Sequence, residues 1–197
     1  TYQIVNTARA MQGLEPVAPK GGARFHFSLP GSVQGFRVDP TEPCASQVEL
    51  FNAEAHSQLG QRSLAVRFNC VEGEVAARVT TPTFIVPEDL NMPGYSLIAS
   101  PTLYPAQTLK ARVEASVENT GPVEVGLLVY CYDESGKPVR AAGPSVSLKQ
   151  GQAGDLSWTI PDTVGMPIYA AGIEVRRGLE VSAGTVYLDF LTWDGMA

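Results

Sequence analysis

The stretch GTVYLDFLTWDG, residues 184–195, alternates like a β-strand but carries one charged residue, Asp189, in its middle. Strict alternation puts Asp189 in a row of large apolar side chains, where an unpaired carboxylate would be costly. A β-bulge at Asp189–Phe190 turns the carboxylate aside and leaves one apolar row, formed by Val186, Leu188, Leu191 and Trp193. We favour the bulge, because it buries Leu191 and Trp193 without burying the charge.

The same kind of pattern continues through the chain from Ala23 onward, with about ten short strand-like stretches. Examples are ARFHFSL at 23–29, SLAVRFN at 63–69 and TLKARVEASVEN at 108–119, and turn signals such as LPGS, NTGP and DESGKP lie between them. No convincing amphipathic helix interrupts the series. The sequence therefore predicts an all-β fold, an antiparallel β-sandwich or jelly roll, over residues 23–197. Residues 1–22 contain the Pro- and Gly-rich LEPVAPKGG, which indicates a linker or N-terminal extension.

The charge and the cysteines limit the partners and the compartment. The net charge is −6 and no basic cluster is present, which argues against binding to nucleic acid or to an anionic membrane surface. The three cysteines have no CxxC spacing, which argues against a zinc site and against a disulfide framework. Cys131 lies in an apolar strand and is predicted to be a small buried hydrophobe. Cys44 and Cys70 remain able to pair, so the sequence leaves the compartment open, with secretion as the working hypothesis.

The strand VEVGLLVYCYD, residues 123–133, gives the first hint of function. Both of its faces are apolar, and the second face ends in a pair of tyrosines, Tyr130 and Tyr132. Such a face is either packed under a loop or left open to bind something flat.

Three stretches carry a resemblance to a known class of module. FSLPGSVQGF at 27–36, GQRSLAVRF at 60–68 and the closing strand follow the order seen in jelly-roll carbohydrate-binding modules of the galactose-binding-like type. MPIYAAGIEV at 166–175, together with the closing strand, also resembles the non-catalytic sandwich appended to bacterial ADP-ribosylglycohydrolase-like proteins. The resemblance extends from about Arg24 to Gly195. It implies a module attached to an enzyme, but fold likeness alone does not assign a function.

The resemblance also implies a role for Asp189. In such modules the Asp of the last strand commonly helps to bind a structural calcium ion beside a Glu of the opening strand, and here Ser28 stands at the position of that Glu. Losing a carboxylate weakens a cation site that needs six to eight oxygens, unless carbonyls, Glu15 or Asp39 compensate. Asp189 is therefore either a calcium ligand or a carboxylate that caps backbone N–H groups at the bulge.

Aromatic side chains are the candidate ligand-binding groups, because sugar C–H groups pack on ring faces while the hydroxyls need donors and acceptors. Trp158 and Trp193 are predicted to be core residues. The predicted platform consists of Tyr130, Tyr132 and Tyr187, which would otherwise be half-buried under loops. The polar contacts would come from three charged residues if their strands share that face: Arg112, Glu174 and Arg176.

Catalytic patterns are weak in this sequence. No Gly-x-Ser-x-Gly elbow, P-loop or dinucleotide fingerprint is present, and neither His26 nor His56 lies in the Gln-x-His arrangement of jelly-roll lyases. No pair of carboxylates stands out for glycoside hydrolysis. We therefore predict a non-catalytic carbohydrate-binding module that holds an attached enzyme near a polysaccharide or oligosaccharide. The alternatives are a structural module that packs on other domains of the same chain and, third, a lyase or hydrolase.

Overall fold

The computed structural model describes residues 11–13, 23–70, 73–83, 103–178 and 181–193. Most of the predicted extension at 1–22, including Glu15, lies outside these residues. Within the described ranges, no helix has the length and apolar character needed to cross a membrane.

In the described ranges, ten strands form two five-stranded antiparallel sheets, which confirms the predicted all-β sandwich. Sheet I has the strand order β1-β4-β9-β6-β7, and sheet II has the order β2-β3-β10-β5-β8. The strands of sheet I are β1 (Arg37–Val38), β4 (Val75–Pro82), β6 (Val123–Tyr132), β7 (Pro138–Leu148) and β9 (Ile168–Arg177). The strands of sheet II are β2 (Val48–Ala53), β3 (Ser63–Asn69), β5 (Thr108–Ala115), β8 (Ala153–Thr159) and β10 (Ala183–Trp193). A short 3-10 turn, Ala45–Gln47, precedes β2.

The hydrophobic core lies between the sheets and is formed by alternate side chains of their strands. Sheet I contributes Val79, Val125, Leu127, Val129, Ile173 and Val175. Sheet II contributes Leu64, Val66, Val113, Leu188, Leu191 and Trp193. Trp193 is therefore a core residue as predicted, whereas Trp158 is only partly buried at the margin of the core. This alternation leaves the opposite side chains of each strand on the outer faces of the sandwich.

The predicted bulge in β10 is confirmed. The register with β5 shifts between Leu188 and Phe190, so that Asp189 leaves the inward row. One part of the prediction is wrong, because Asp189 is only 2% exposed and its charge is buried after all. The carboxylate lies on the outer side of sheet II, where a loop covers it.

Two local predictions differ from the structure. ARFHFSL is not a strand: Phe25 forms an isolated bridge with Leu191, and Phe27 has a positive φ of 51° that ends the extended run. Conversely, β7 was not predicted, because Pro138 and Pro144 argue against a strand. Proline is tolerated there because β7 is an edge strand of sheet I and shifts register against β6 near Pro144.

The structure contains a disulfide bond that the sequence analysis left open. Cys44 and Cys70 form a buried disulfide with a Cα–Cα distance of 5.7 Å, which links the turn before β2 to the end of β3. Cys131 packs against the core but is only partly buried, so its side chain is more exposed than the sequence predicts.

Candidate functional site

The outer face of sheet I carries a cluster of tyrosines beside a group of charged side chains. Because Val125, Leu127 and Val129 of β6 point into the core, Tyr130 and Tyr132 project from the outer face. We call this surface the tyrosine face, formed by the outward side chains of β4, β6, β7 and β9, which include Arg78, Tyr130, Tyr132, Arg140, Tyr169, Glu174 and Arg176.

Three tyrosines are grouped at one end of the tyrosine face. The rings of Tyr132 and Tyr169 are stacked, with centroids 4.4 Å apart and planes 25° apart, and Tyr130 lies 5.9 Å from Tyr169. In the β6–β9 pairing, consecutive residues of β6 pair with Ala170 and then with Ile168, so Tyr169 is the extra residue of a β-bulge. The bulge brings Tyr169 to this face. Burial, with the neighbouring Tyr132, raises the pKa of Tyr169 to about 12, so its hydroxyl stays protonated at neutral pH. All three rings are half-buried and give a neutral aromatic platform.

Asp39, just after β1, fixes the hydroxyl of Tyr130. The Tyr130 hydroxyl donates a hydrogen bond of 2.5 Å to Oδ2 of Asp39. Oδ1 of Asp39 accepts two more, from the Thr41 N–H at 2.9 Å and the Thr41 hydroxyl at 2.6 Å. Burial acts to raise the pKa of Asp39, but these hydrogen bonds and the charge of Arg78 outweigh it and lower the pKa. Burial and Asp39 together raise the pKa of Tyr130.

Glu174 of β9 lies at the centre of the tyrosine face and binds three arginines. Its side chain is 7% exposed and accepts hydrogen bonds from Arg78 Nε at 2.5 Å, Arg140 Nη1 at 2.7 Å and Arg176 Nε at 2.6 Å. Arg78 also forms an ion pair with Glu42. Burial acts to raise the pKa of Glu174, but the arginines more than offset it, and the pKa is lowered. The carboxylate is therefore ionised and held in one place at neutral pH.

A hollow of about 150 Å³ lies beside this group, between β6, β7 and β9. Its lining combines small or apolar residues with polar side chains: Gly126, Leu127, Ala142 and Gly143, and Glu124, Ser145, Glu174 and Arg176. The Ser145 hydroxyl donates a hydrogen bond to Glu124. The tyrosine face thus combines ring faces at one end with donors and acceptors around a hollow at the other, which is the chemistry that sugar rings and their hydroxyls require.

The structure divides the site residues predicted from sequence between the two outer faces. Tyr130, Tyr132, Glu174 and Arg176 lie together on sheet I, whereas Tyr187 and Arg112 lie on the outer face of sheet II. There the His56 ring stacks on Tyr187 at 3.7 Å. Arg112 forms an ion pair with Asp155 at 2.9 Å. The premise that all these strands share one face is therefore wrong, and Tyr187 and Arg112 do not join the tyrosine face.

Several residues of the tyrosine face were missed from the sequence. Arg78 carried a weak signal, since it is the one charged residue in the stretch VAARVTT, residues 75–81. Arg140 was missed together with β7. Asp39 and Glu42 lie in a turn, and no local pattern indicates that they reach across to Tyr130 and Arg78.

The Asp189 carboxylate lies against a group of hydrogen-bond donors in the loop between β2 and β3. The Ser57 hydroxyl donates to it at 2.5 Å, and the N–H groups of Gln58 and Leu59 donate at 2.8 and 3.3 Å. Ser28 lies nearby, against Gly60, and its hydroxyl donates to the His26 carbonyl. A cation needs oxygen acceptors, so this donor set does not fit calcium and suits the alternative of a capped carboxylate.

Two observations bear on other ligands for calcium. Asp39 lies at the tyrosine face and is engaged with Tyr130, so it does not compensate for the missing Glu. No group of three or more His, Cys, Asp or Glu that could hold a metal occurs in the part of the chain that the structure describes. Calcium ligation by Asp189 stays a prediction of the sequence resemblance.

The substitution Asp189→Asn is expected to lower the free energy of unfolding by about 2 kcal/mol, because one of the two carboxylate acceptors becomes an NH2 donor that must face either the Ser57 hydroxyl or the N–H groups of residues 58 and 59. Chemical denaturation checks this, with Asp155→Asn, an exposed carboxylate on the same sheet, as the control. A chelator is expected to leave the Tm of the unsubstituted protein unchanged. A Tm that falls with chelator and recovers with calcium would make Asp189 a calcium ligand instead.

Comparison with solved structures shows the fold. No protein-family model matches the sequence, and no curated protein matches it. One similar structure comes from work on the promiscuous specificity of carbohydrate-binding modules of the β-sandwich superfamily. Its TM-score is 0.63 at 14% identity, and the match covers 90% of this chain and 64% of that chain.

Two further similar structures come from bacterial Xyn10 proteins. The CBM22-1 xylan-binding domain of Paenibacillus barcinonensis Xyn10C has a TM-score of 0.59 at 11% identity, with coverage of 90% of this chain and 96% of that chain. The CBM22-1–GH10 modules of Clostridium thermocellum endo-1,4-β-D-xylanase 10B, complexed with xylohexaose, have a TM-score of 0.55 at 13% identity, with coverage of 88% and 28%. The chain therefore has the β-sandwich, jelly-roll fold of carbohydrate-binding modules.

Proposed function

We propose that this domain is a non-catalytic carbohydrate-binding module and that a glycan lies along the tyrosine face. The observation that carries the proposal is the placement of three grouped tyrosines beside the Glu174–arginine cluster on one outer face. Ring faces pack against sugar C–H groups, and fixed charged side chains hydrogen-bond the hydroxyls. The fold shared with carbohydrate-binding modules supports the proposal.

The dimensions and charge of this face suit a neutral polysaccharide. From Tyr132 to Glu124, β6 advances by eight residue steps, or about 26 Å, which is room for several sugar units in a row. Each of the three arginines forms an ion pair with a carboxylate, so the tyrosine face has no large excess of positive or negative charge. Binding would then rest on stacking and hydrogen bonds and be little affected by salt. Because one similar structure is described as xylan-binding, xylan is the first polysaccharide to test.

The chemistry of Glu174 argues against a hydrolase. A glycosidase needs a carboxylic acid whose pKa is raised so that it can protonate the leaving group. The arginines lower the pKa of Glu174 instead, which suits a hydrogen-bond acceptor. His56, with Glu114 and Tyr187, lies on the opposite sheet and cannot act at this face.

The role of such a module would be to hold an attached enzyme near its substrate by raising the effective concentration. One similar structure supports this arrangement, since it contains such a module together with a GH10 module. The Cys44–Cys70 disulfide supports a secreted or otherwise oxidising location, because disulfides persist there. The alternative of a module that only packs on other domains calls for a continuous apolar patch. In the described residues the most exposed large apolar side chains are those of Met11, Val164 and Val117. Val117 and Val164 lie in separate turns, and Met11 lies well before the first strand in the sequence.

The test is a binding screen of the 197-residue chain against soluble and insoluble polysaccharides, beginning with xylan. Saturable binding is expected to one class of glycan. It should be lost in Tyr132→Ala and kept in Tyr187→Ala, which removes a half-buried tyrosine from the opposite face. Failure to bind any polysaccharide, with both variants folded, would contradict the proposal and favour the structural alternative.

A further inference from the structure

The segment between β1 and β2, residues 39–47, crosses from sheet I to sheet II and supplies two carboxylates to the tyrosine face. We call it the crossing turn. Asp39 accepts the hydrogen bond of the Tyr130 hydroxyl, and Glu42 forms an ion pair with Arg78. Through Arg78, the crossing turn also contacts the group around Glu174. The orientation of an aromatic ring and of an arginine thus depends on where this turn lies.

The backbone hydrogen bonds that join the crossing turn to sheet I lie at its beginning, and the side chains of Asp39 and Glu42 add contacts to Tyr130 and Arg78. β1 has two residues and pairs with β4 at two positions, and one further backbone bond joins Asp39 N to the Arg78 carbonyl at 2.8 Å. The bonds from Ala45 N to the Glu42 carbonyl and from Gln47 N to the Cys44 carbonyl lie within the turn, so they shape it without fixing it to the sandwich.

The disulfide joins the crossing turn to a firm part of the fold. Cys44 lies within the turn, and Cys70 follows β3, where its N–H donates to the Ser182 carbonyl at 2.6 Å. Both cysteines are almost completely buried, so the link is held by packing as well as by the covalent bond. A covalent link of this kind removes the freedom of the turn to move away from the sandwich.

We propose that the Cys44–Cys70 disulfide is a positioning device for the tyrosine face, which holds the crossing turn so that Asp39 and Glu42 orient Tyr130 and Arg78. Without the disulfide, Tyr130 and Arg78 sample more orientations, and binding must order them again at a cost in affinity. Asp39 and Glu42 are positioning residues in this scheme. The expected effect on affinity rests on the proposed function, whereas the effect on Tyr130 does not.

The experiment compares the unsubstituted chain with the double variant Cys44→Ala/Cys70→Ala. Three quantities are measured: the NMR signals of the Tyr130 ring and hydroxyl, assigned with Tyr130→Phe, the Kd for the glycan that the screen selects, and the Tm. We expect the Tyr130 signals to shift and its hydroxyl proton to exchange faster, and the Kd to rise about five-fold at a temperature where both proteins are folded. Signals of Tyr187 on the opposite face should stay in place.

A second variant keeps the proposal testable if the double alanine variant does not fold. Asp39→Asn/Glu42→Gln retains the disulfide and should also raise the Kd about five-fold and shift the Tyr130 signals, while the charge-matched control Asp155→Asn/Glu49→Gln changes neither. Unchanged Tyr130 signals in the folded Cys44→Ala/Cys70→Ala variant would overturn the proposal, and the disulfide would then contribute to stability alone. If the unsubstituted chain binds no glycan, the proposed function fails, and the Tyr130 signals still decide the positioning role.

Discussion

Glu174→Ala is expected to lower the free energy of unfolding by about 2 to 4 kcal/mol, because it leaves three arginines without their shared acceptor. This loss of stability is expected to be smaller than the loss caused by leaving a fully buried charge unpaired, for two reasons. The side chains of Arg140 and Arg176 are 31% and 41% exposed and can turn toward water. Arg78 is more buried, but it keeps its ion pair with Glu42. Urea denaturation at neutral pH measures the change.

The same residue gives stability a defined dependence on pH. The pKa of Glu174 is lower in the folded protein than in the unfolded chain, so folding favours the ionised form. Its contribution is complete above the pKa of an unfolded glutamate, about 4.3, and is lost as the pH falls through the lower folded value. Glu174→Gln should therefore differ from the unsubstituted protein at pH 7 and approach it in strong acid.

The control for these variants is Glu49→Ala, because Glu49 forms an exposed ion pair with Arg67 on sheet II. Exposed pairs contribute little, so this control should change the free energy of unfolding by less than about 0.5 kcal/mol. Equal effects of Glu174→Ala and Glu49→Ala would contradict the role of Glu174 as the centre of a buried cluster.

Tyr130→Ala is expected to weaken glycan binding about ten- to fifty-fold, or by about 1.4 to 2.3 kcal/mol, while the domain remains folded. The ring is half-buried on the outer face, so its loss removes a contact surface rather than a piece of the core. Loss of the ring also frees the neighbouring Tyr169 and leaves Asp39 without the Tyr130 hydroxyl. Isothermal titration calorimetry measures the affinity, and circular dichroism checks the fold.

Tyr130→Phe separates the ring from its hydroxyl. It keeps the aromatic surface and removes only the hydrogen bond to Asp39, so a smaller loss of affinity, about two- to five-fold, is expected. If Tyr130→Ala loses stability but binds normally, the ring belongs to the packing of the domain and not to a ligand platform.

Local patterns were enough to predict the architecture. Alternation, turn signals and the placement of Asp189 led to an antiparallel sandwich and to a bulge at the observed position. The same alternation placed Tyr130 and Tyr132 on the less core-like face of their strand, where the structure has them. These features depend on residues close together in the chain, which is why the sequence reveals them.

The composition of the site depends on pairings between distant residues, and these were not predictable. Tyr187 and Tyr130 both alternate outward, but which sheet each strand joins is decided by long-range pairing, and it puts them on opposite faces. Asp39 reaches Tyr130 across 91 positions of the chain. β7 was not predicted, because Pro138 and Pro144 are compatible with a strand only at the edge of a sheet, and the sequence does not show which strands are edge strands.

The most direct test of glycan binding at the tyrosine face is an NMR titration of the isotope-labelled 197-residue chain with xylohexaose, or with an oligosaccharide of the glycan that the screen selects. We predict saturable shifts grouped at Tyr130, Tyr132, Tyr169 and Arg176, with Tyr187 and Arg112 unaffected. Shifts grouped at Tyr187 and Arg112 instead, or no shifts with any oligosaccharide, would contradict the account.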